Sequence, residues 1–172
     1  MSRAIRYLFL FRHAKSAWPD GVDDHERPLA PRGKKAAPKM GLMMARSQIR
    51  PDLAIVSTAR RTQQTWKLLE PHLPACAKRS ESRIYEAAAA QILDIIRETD
   101  DKIRALMVVG HNPGLEDTAL QLLRTENDPA ADKLREKFPT AALAVLALEA
   151  DRWRDIAPAS ARLVRFVTPR SI

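Results

Sequence analysis

YLFLFRHAKS, residues 7–16, sets five consecutive apolar residues directly before an arginine and a histidine. Such a short apolar run predicts a strand buried on both faces, as in a parallel sheet covered by helices. Polar residues that follow such a strand lie at its carboxyl end, where α/β sheets bind ligands. The stretch therefore predicts a central strand, Tyr7–Phe11, with a site at its end.

Further apolar runs alternate with segments of helical length and amphipathic pattern. The other predicted strands are Leu53–Ser57, Ala105–Gly110, Ala142–Leu148 and Leu163–Thr168, with a weaker one near Ser80–Ile84. The predicted helices are Gly33–Ser47, Thr58–Glu70, Ala87–Glu98 and Pro113–Arg124. No clear helix joins the last two strands, so we expect them to form an antiparallel edge. The fold class is α/β, a three-layer α/β/α sandwich with a mostly parallel central sheet, in one domain over residues 1–172.

Three long polar connections interrupt this pattern: Arg12–Arg32, Pro71–Arg83 and Thr125–Pro139. The first follows the first strand, and a loop of that length at that position is typical of a functional segment. Pro38 falls inside the first predicted helix, and we expect it to kink the helix or delay its start.

Composition excludes several classes of protein. The chain of 172 residues has one cysteine, Cys76, which excludes an internal disulfide framework, and no spacing typical of a zinc site occurs. No apolar run approaches the roughly 18 residues that span a bilayer. The amino-terminal stretch lacks a signal-peptide cleavage site. We therefore expect a soluble, cytoplasmic protein without a membrane partner, a metal or another cofactor.

The net charge of +8 is distributed unevenly along the chain. Residues 1–86 hold 17 lysines and arginines against 8 acidic residues, whereas residues 87–172 hold 12 against 13. An excess of positive charge in one half suggests a negatively charged partner. Charge alone leaves three candidates: a nucleic acid, a phosphorylated substrate or an acidic protein face.

Three polar sets follow three predicted strands: Arg12-His13, Ser57 to Arg61, and His111. Because the carboxyl ends of parallel strands lie at one edge of a sheet, we expect these side chains to converge. After His111, Asn112 is a candidate helix N-cap with Pro113 at the first helical position.

This combination fits phosphoryl transfer. Guanidinium groups bind phosphate oxygens in pairs, and a helix N-terminus adds free N–H groups. A neutral imidazole is a competent nucleophile, and nearby arginines favour the neutral form by lowering the histidine pKa. If the guanidinium groups neutralise the phosphate charge, the chemistry needs no metal ion.

These residues resemble the motifs of the histidine phosphatase (phosphoglycerate mutase-like) superfamily. LFLFRHAKS resembles its Arg-His signature, with Ala14 where glycine is usual, and STARRTQQT fits its Ser-x-x-x-Arg-x-x-Gln-Thr pattern. VVGHNPG resembles its second histidine motif, and RPLAPRG its Arg-Pro-Leu-Thr-x-x-Gly segment, with Ala30 in place of threonine.

The resemblance implies residue roles. It implies that His13 is a nucleophile that becomes phosphorylated, and that Arg12, Arg61 and His111 form the phosphate pocket. The spacing from Ser57 selects Arg61 over Arg60. The chain is short and has no large cap insertion. In this respect it resembles the short phosphohistidine phosphatases of the SixA type. That branch implies a phosphorylated protein as partner, such as a phosphohistidine phosphotransfer domain.

The proton donor for the leaving group stays open. Glu86 occupies the acid region of the family, but an acidic residue there also suits the first turn of a helix. Lys15 and Arg27 are further candidates for substrate contact, although a place at the rim of the loop suits them equally.

Three functions remain in competition. The first is a metal-independent phosphatase that removes phosphate from phosphohistidine in a protein. The second is a phosphomonoesterase of the same superfamily that acts on small molecules. The third is a non-catalytic module that binds phosphate or nucleic acid, for which the basic segments lack the interleaved aromatic residues of nucleic-acid sites.

Overall fold

The computed structural model describes residues 2–124 and 127–172. Its strands are β1 (Ile5–Arg12), β2 (Leu53–Ser57), β3 (Ala77–Glu81), β4 (Ala105–Gly110), β5 (Leu143–Glu149) and β6 (Ala161–Val167). Its α-helices are α1 (Pro31–Arg46), α2 (Arg60–Leu69), α3 (Ala89–Arg97), α4 (Gly114–Leu122) and α5 (Pro129–Glu136). Among the described helices, none has the length and apolar character needed to cross a membrane.

The six strands form one sheet in the order β3-β2-β4-β1-β5-β6. The pairs β1–β4, β2–β4 and β2–β3 are parallel. The pairs β1–β5 and β5–β6 are antiparallel. This topology confirms the predicted α/β class, with a mostly parallel sheet and an antiparallel edge. It also brings the carboxyl ends of β1, β2 and β4 side by side.

Each face of the sheet carries its own apolar core, because neighbouring residues of a strand point to opposite faces. In β1, Leu8 and Leu10 pack in the core with α3, α4 and α5. Phe9 and Phe11 pack in the other core, with α1 and α2. All four side chains are almost inaccessible to solvent. Burial on both faces explains why the run YLFLF is uniformly apolar rather than alternating.

The polar connection predicted at Thr125–Pro139 is wrong between Pro129 and Glu136, where α5 lies. Asp128 accepts a hydrogen bond from the backbone N–H of Ala130, and Pro129 occupies the first helical position. Leu134 anchors this short helix in the core. Thr125 and Glu126 lie outside the described residues.

Two further expectations concern the starts of helices. Of the two outcomes expected for Pro38, the delayed start is wrong, because α1 begins at Pro31 and contains Pro38; the kink stays a prediction. Pro31 suits the first helical position, because that position needs no N–H group. Asn112 is not the N-cap of α4, since the helix begins at Gly114 and Pro113 stands at the cap. The Asn112 side chain instead bonds the carbonyl of Phe138 and accepts from the N–H of Glu116.

Candidate active site

The structure brings the two strand-end histidines together. His13 follows the last residue of β1, and His111 follows the last residue of β4. Because these strands are adjacent and parallel, the imidazole rings lie with their centroids 5.3 Å apart. Arg12 ends β1, and Arg61 lies in the first turn of α2. All four sequence-predicted residues therefore share one edge of the sheet.

Of the two ring nitrogens of His13, Nδ1 forms a hydrogen bond with the backbone and Nε2 forms none with the described residues. Nδ1 lies 2.8 Å from the carbonyl oxygen of Ala14, which can only accept, so Nδ1 carries the proton. In the neutral ring this leaves a lone pair on Nε2. The backbone N–H of Ala14 donates to Thr65 Oγ1, and that hydroxyl donates to the carbonyl of Arg61. The segment around His13 is thereby fixed to the helix that carries Arg61.

Both histidines are held in the neutral form. Burial lowers the pKa of His13 to about 3, and the charges of His111, Arg61 and Arg12 act in the same direction. Burial also lowers the pKa of His111 to about 3, with Arg61 as the next cause. The two residues are 7% and 9% exposed, so little water is available to solvate an added charge. At neutral pH the site thus presents two uncharged imidazoles beside two guanidinium groups.

His111 is oriented by Ser57, the last residue of β2. Its Nε2 lies 2.7 Å from Ser57 Oγ, and that oxygen also accepts from the backbone N–H of Ala59. We assign the Ser57 hydroxyl as the donor to Nε2, which places the proton of His111 on Nδ1. Nδ1 is buried and has no hydrogen-bond partner among the described residues.

The two arginines each keep part of their hydrogen-bonding capacity unused. Arg12 donates from Nη1 to the carbonyl of Phe138, and Arg61 donates to Asp24 through both terminal nitrogens. The Nε atoms of both arginines are buried without a partner among the described residues. Together with His111 Nδ1, three buried N–H donors lack an acceptor. Unsatisfied buried donors are rare in proteins, and here they match the needs of an oxyanion.

Two residues that the sequence analysis did not single out complete the site. The Tyr85 hydroxyl donates to Asp24 Oδ2 at 2.5 Å, and the Tyr85 ring lies 5.6 Å from the ring of His111. The hydrogen bond from Tyr85 and the contacts with Arg27 and Arg61 hold the pKa of Asp24 well below its usual range. Burial and Asp24 raise the pKa of Tyr85 to about 12. In the sequence, the signal that could have identified Asp24 is the DDHER cluster of charges in the first loop.

None of the other candidate residues forms a hydrogen bond with His13 or His111 in the described part of the chain. Glu86 is exposed at φ +56°, in the turn before α3 and not in the first turn of a helix. It forms no hydrogen bond or ion pair with another described residue. The Lys15 side chain is exposed, and Arg60 points to solvent beside the buried Arg61. Arg27 is buried within its own loop, where it donates to Ala17, Ser16 and Asp24.

The comparisons with known proteins agree on one family. The family model of the histidine phosphatase superfamily (branch 1) matches residues 8–92. The uncharacterized protein Rv1276c of Mycobacterium tuberculosis is 40% identical over 161 residues, which are 92% of this chain and 99% of that protein. A solved structure from Nakamurella multipartitia, whose name assigns it to the SixA phosphohistidine phosphatases, has a TM-score of 0.86 at 30% identity and covers 98% of this chain and 99% of its own.

A second such SixA structure, from Agrobacterium tumefaciens, has a TM-score of 0.79 at 30% identity over 95% of this chain and 98% of its own. The structure of the protein histidine phosphatase SixA complexed with tungstate shares the fold, with a TM-score of 0.77 at 18% identity over 95% and 97% of the two chains. The family model spans most of β1 and all of β2 and ends before β4 and His111, whereas the relative and the SixA structures match nearly the whole chain. The chain belongs to the histidine phosphatase superfamily, branch 1, and its fold is that of the SixA-like members.

Proposed function

We propose that this protein is a phosphatase that works through a phosphohistidine intermediate on His13, without a metal ion. The observation that carries the proposal is the pair of neutral imidazoles, 5.3 Å apart, beside the guanidinium groups of Arg12 and Arg61. The free lone pair on His13 Nε2 is the nucleophile. The guanidinium groups of these two arginines supply the positive charge that the phosphate oxygens require.

The reaction proceeds in two displacements. In the first, His13 Nε2 forms a bond to phosphorus while the bond from phosphorus to the leaving group breaks, and the leaving group takes up a proton. In the second, the oxygen of water forms a bond to phosphorus while the P–N bond breaks, inorganic phosphate leaves with the protons of water, and Nε2 regains its lone pair. Both displacements pass through a transition state with charge on the equatorial oxygens.

The unpartnered donors give that charge its stabilisation. Nε of Arg12, Nε of Arg61 and Nδ1 of His111 are buried and positioned before the substrate arrives. Donors that are already oriented cost no reorganisation during the reaction, and removing one typically costs about 10²–10³ in kcat. Lys15, exposed at the rim, is proposed to contact the substrate outside the phosphate pocket, whereas Arg27 acts through the loop it holds together.

We propose phosphohistidine on a protein as the substrate, with a phosphotransfer domain as the kind of partner. A P–N bond has an imidazole as leaving group, which accepts a proton easily and needs no strong acid. Glu86 is exposed and forms no hydrogen bond with the described residues of the pocket, which supports such a substrate. So does the likeness to the two SixA structures, and the basic first half suits an acidic protein face.

The alternative is a small phosphate ester, which one observation favours. The charge of Glu86 acts on Tyr85, whose ring contacts that of His111, so Glu86 lies at the rim on the side of the second histidine. An acid there would protonate an alkoxide leaving group. The glucosyl-3-phosphoglycerate phosphatase from a mycobacterium shares the fold, at a TM-score of 0.61 and 16% identity.

The test compares two substrates and matched variants. Wild-type protein should turn over a phosphohistidine peptide with a larger kcat/KM than a panel of small esters, and phosphodonor should label it in an acid-labile way. His13→Asn should abolish labelling and turnover, and turnover retained in that variant contradicts the mechanism.

Glu86→Gln separates the two substrate classes. We expect a change of less than about threefold on phosphohistidine, since the imidazole leaving group needs little help. The control is Glu149→Gln, an exposed carboxylate that pairs with Ile5 at the opposite end of β1 from His13. A loss of a hundredfold on esters, together with a preference for esters in wild-type protein, favours the small-molecule reading. Absence of turnover with tight, salt-sensitive duplex binding favours the nucleic-acid module.

A further inference from the structure

Asp24 contacts Arg61 twice, although the two residues belong to different parts of the chain. Arg61 Nη1 donates to the backbone carbonyl of Asp24 at 2.7 Å, and Nη2 donates to Asp24 Oδ2 at 3.1 Å. Asp24 begins a single turn of 3-10 helix in the loop between β1 and α1. The contact therefore connects the loop over the site to a guanidinium group of the phosphate pocket.

Asp24 is itself held from two further sides. Its Oδ1 accepts from Arg27 Nη1 at 2.9 Å, and its Oδ2 accepts from the Tyr85 hydroxyl. Arg27 is buried and also bonds Ser16 Oγ at 2.6 Å, close to the nucleophile in sequence. A carboxylate with three side-chain donors in fixed positions has little freedom to move, so the place of Arg61 is fixed as well.

The hydrogen-bonding capacity of Arg61 shows which edge remains available. A guanidinium group has five N–H donors in a planar fork. Asp24 takes the end formed by Nη1 and Nη2, while Nε is buried and has no partner among the described residues. The side of the fork that contains Nε still offers two parallel donors, the arrangement that binds two phosphate oxygens. Asp24 and a phosphate can therefore occupy different edges of the same group.

We infer that Asp24 is a positioning residue, which holds the guanidinium group of Arg61 so that its Nε edge receives the phosphate. This inference rests on the proposed function, because it assumes that the phosphate binds between Arg61 and the two histidines. Asp24 acts through Arg61 and does not itself touch the transferred group.

Charge and geometry predict opposite effects for the loss of Asp24. Removal of a negative charge beside an anion site should tighten the binding of an oxyanion if charge alone matters. The same result is expected if Asp24 blocks the pocket and must be displaced. If Asp24 positions Arg61, its removal should weaken binding, because the guanidinium group loses its fixed orientation. The direction of the change thus separates the explanations.

The test measures oxyanion binding by calorimetry, with inorganic phosphate and with orthovanadate as probes. We expect Asp24→Ala to weaken the binding of both by about tenfold, the usual scale for a residue that orients a ligand-binding group. Asp24→Asn, which keeps an acceptor for Arg61 and Tyr85, should recover part of the loss. Asp23→Asn is the matched control: it removes the same charge from the neighbouring exposed residue, whose side chain makes no capping bond.

A second arm shows whether the effect passes through Arg61. In an Arg61→Lys background, Asp24→Ala should change vanadate affinity by less than about twofold, since a lysine has no fork to orient. Thermal unfolding of each variant reports on folding independently. Tighter binding in Asp24→Ala, an equal loss in Asp23→Asn, or an undiminished effect in the Arg61→Lys background overturns the inference.

Binding also distinguishes this inference from the proposed function. Phosphate and vanadate affinities can be measured without turnover. A protein that binds both probes but hydrolyses neither phosphohistidine nor esters contradicts the proposed function. In that case the binding affinities of the Asp24 variants still test the role of Asp24. A wild-type protein that binds neither probe overturns the inference.

Discussion

The two buried histidines should make the stability of this protein depend on pH well above the range of its carboxylates. The pKa of each lies near 3 in the folded state, against an ordinary value of 6.5 in the unfolded chain. As the pH falls below 6.5, the two histidines become protonated in the unfolded state, whereas they stay neutral in the folded state. Stability is therefore complete above pH 6.5 and is lost progressively as the pH falls toward 3.

The magnitude follows from the two pKa values. At pH 5 the unfolded state gains about 2 kcal/mol for each histidine, so the pair costs about 4 kcal/mol relative to pH 7.5. With a urea dependence of about 2 kcal/mol per molar, the unfolding midpoint should fall by roughly 2 M. The depressed pKa of Asp24 adds little at pH 5, because an unfolded aspartate is already ionised there.

Urea unfolding followed by circular dichroism at pH 7.5 and 5.0 measures this loss. His13→Asn removes one titrating group and keeps a donor for the carbonyl of Ala14. His111→Gln removes the other and keeps an acceptor for the Ser57 hydroxyl. Comparing each variant with itself at the two pH values cancels the packing cost of the substitution. Each variant should show about half the wild-type loss, about 2 kcal/mol. An equal loss in all three proteins refutes the reasoning.

Three further substitutions test other parts of the structure. Gly33→Ala places a methyl group against the backbone carbonyl of Lys15; we expect a loss of about 1–3 kcal/mol in the free energy of unfolding despite the better helix propensity of alanine, and urea titration checks it. Ser57→Ala leaves His111 Nε2 without its partner; kcat/KM on an aryl phosphate should fall by about tenfold, and an unchanged value contradicts the orienting role of Ser57. Arg6→Met removes a buried guanidinium group that donates to several backbone carbonyls, so the free energy of unfolding should fall by about 3 kcal/mol or more. The kcat should stay within about twofold, because Arg6 lies at the opposite end of β1 from His13.

The central strands and the convergence at their ends could be predicted from the sequence. LAIVS and ALMVVG became β2 and β4 with the predicted bounds, since a strand buried on both faces is marked by an unbroken apolar run. The polar residue after each strand is then placed by sheet topology alone. The meeting of His13 and His111 follows from that geometry.

The residues that line the site from its loops could not be predicted in the same way. Asp24 lies 37 residues from Arg61 and 61 from Tyr85, and their contacts depend on how an irregular loop folds over the sheet edge. Such a loop has no hydrophobic periodicity from which its conformation could be predicted. Helix α5 is not predicted for another reason: half of its eight residues are charged, and the Asp128-Pro129 pair at its start is the signal that identifies it.

The central place of β1 has a consequence for synthesis on the ribosome. Tyr7 pairs with Ala105 and Phe11 with Leu143, so β1 is synthesised before partners that follow it by about a hundred residues. At about 5–20 residues per second, the wait for β5 lasts on the order of ten seconds. During that time an uncharged, aromatic-rich segment with high β-propensity is unprotected, which is the pattern that nucleates aggregation. The nascent chain should therefore depend on chaperone binding at YLFLF until its last third has been translated.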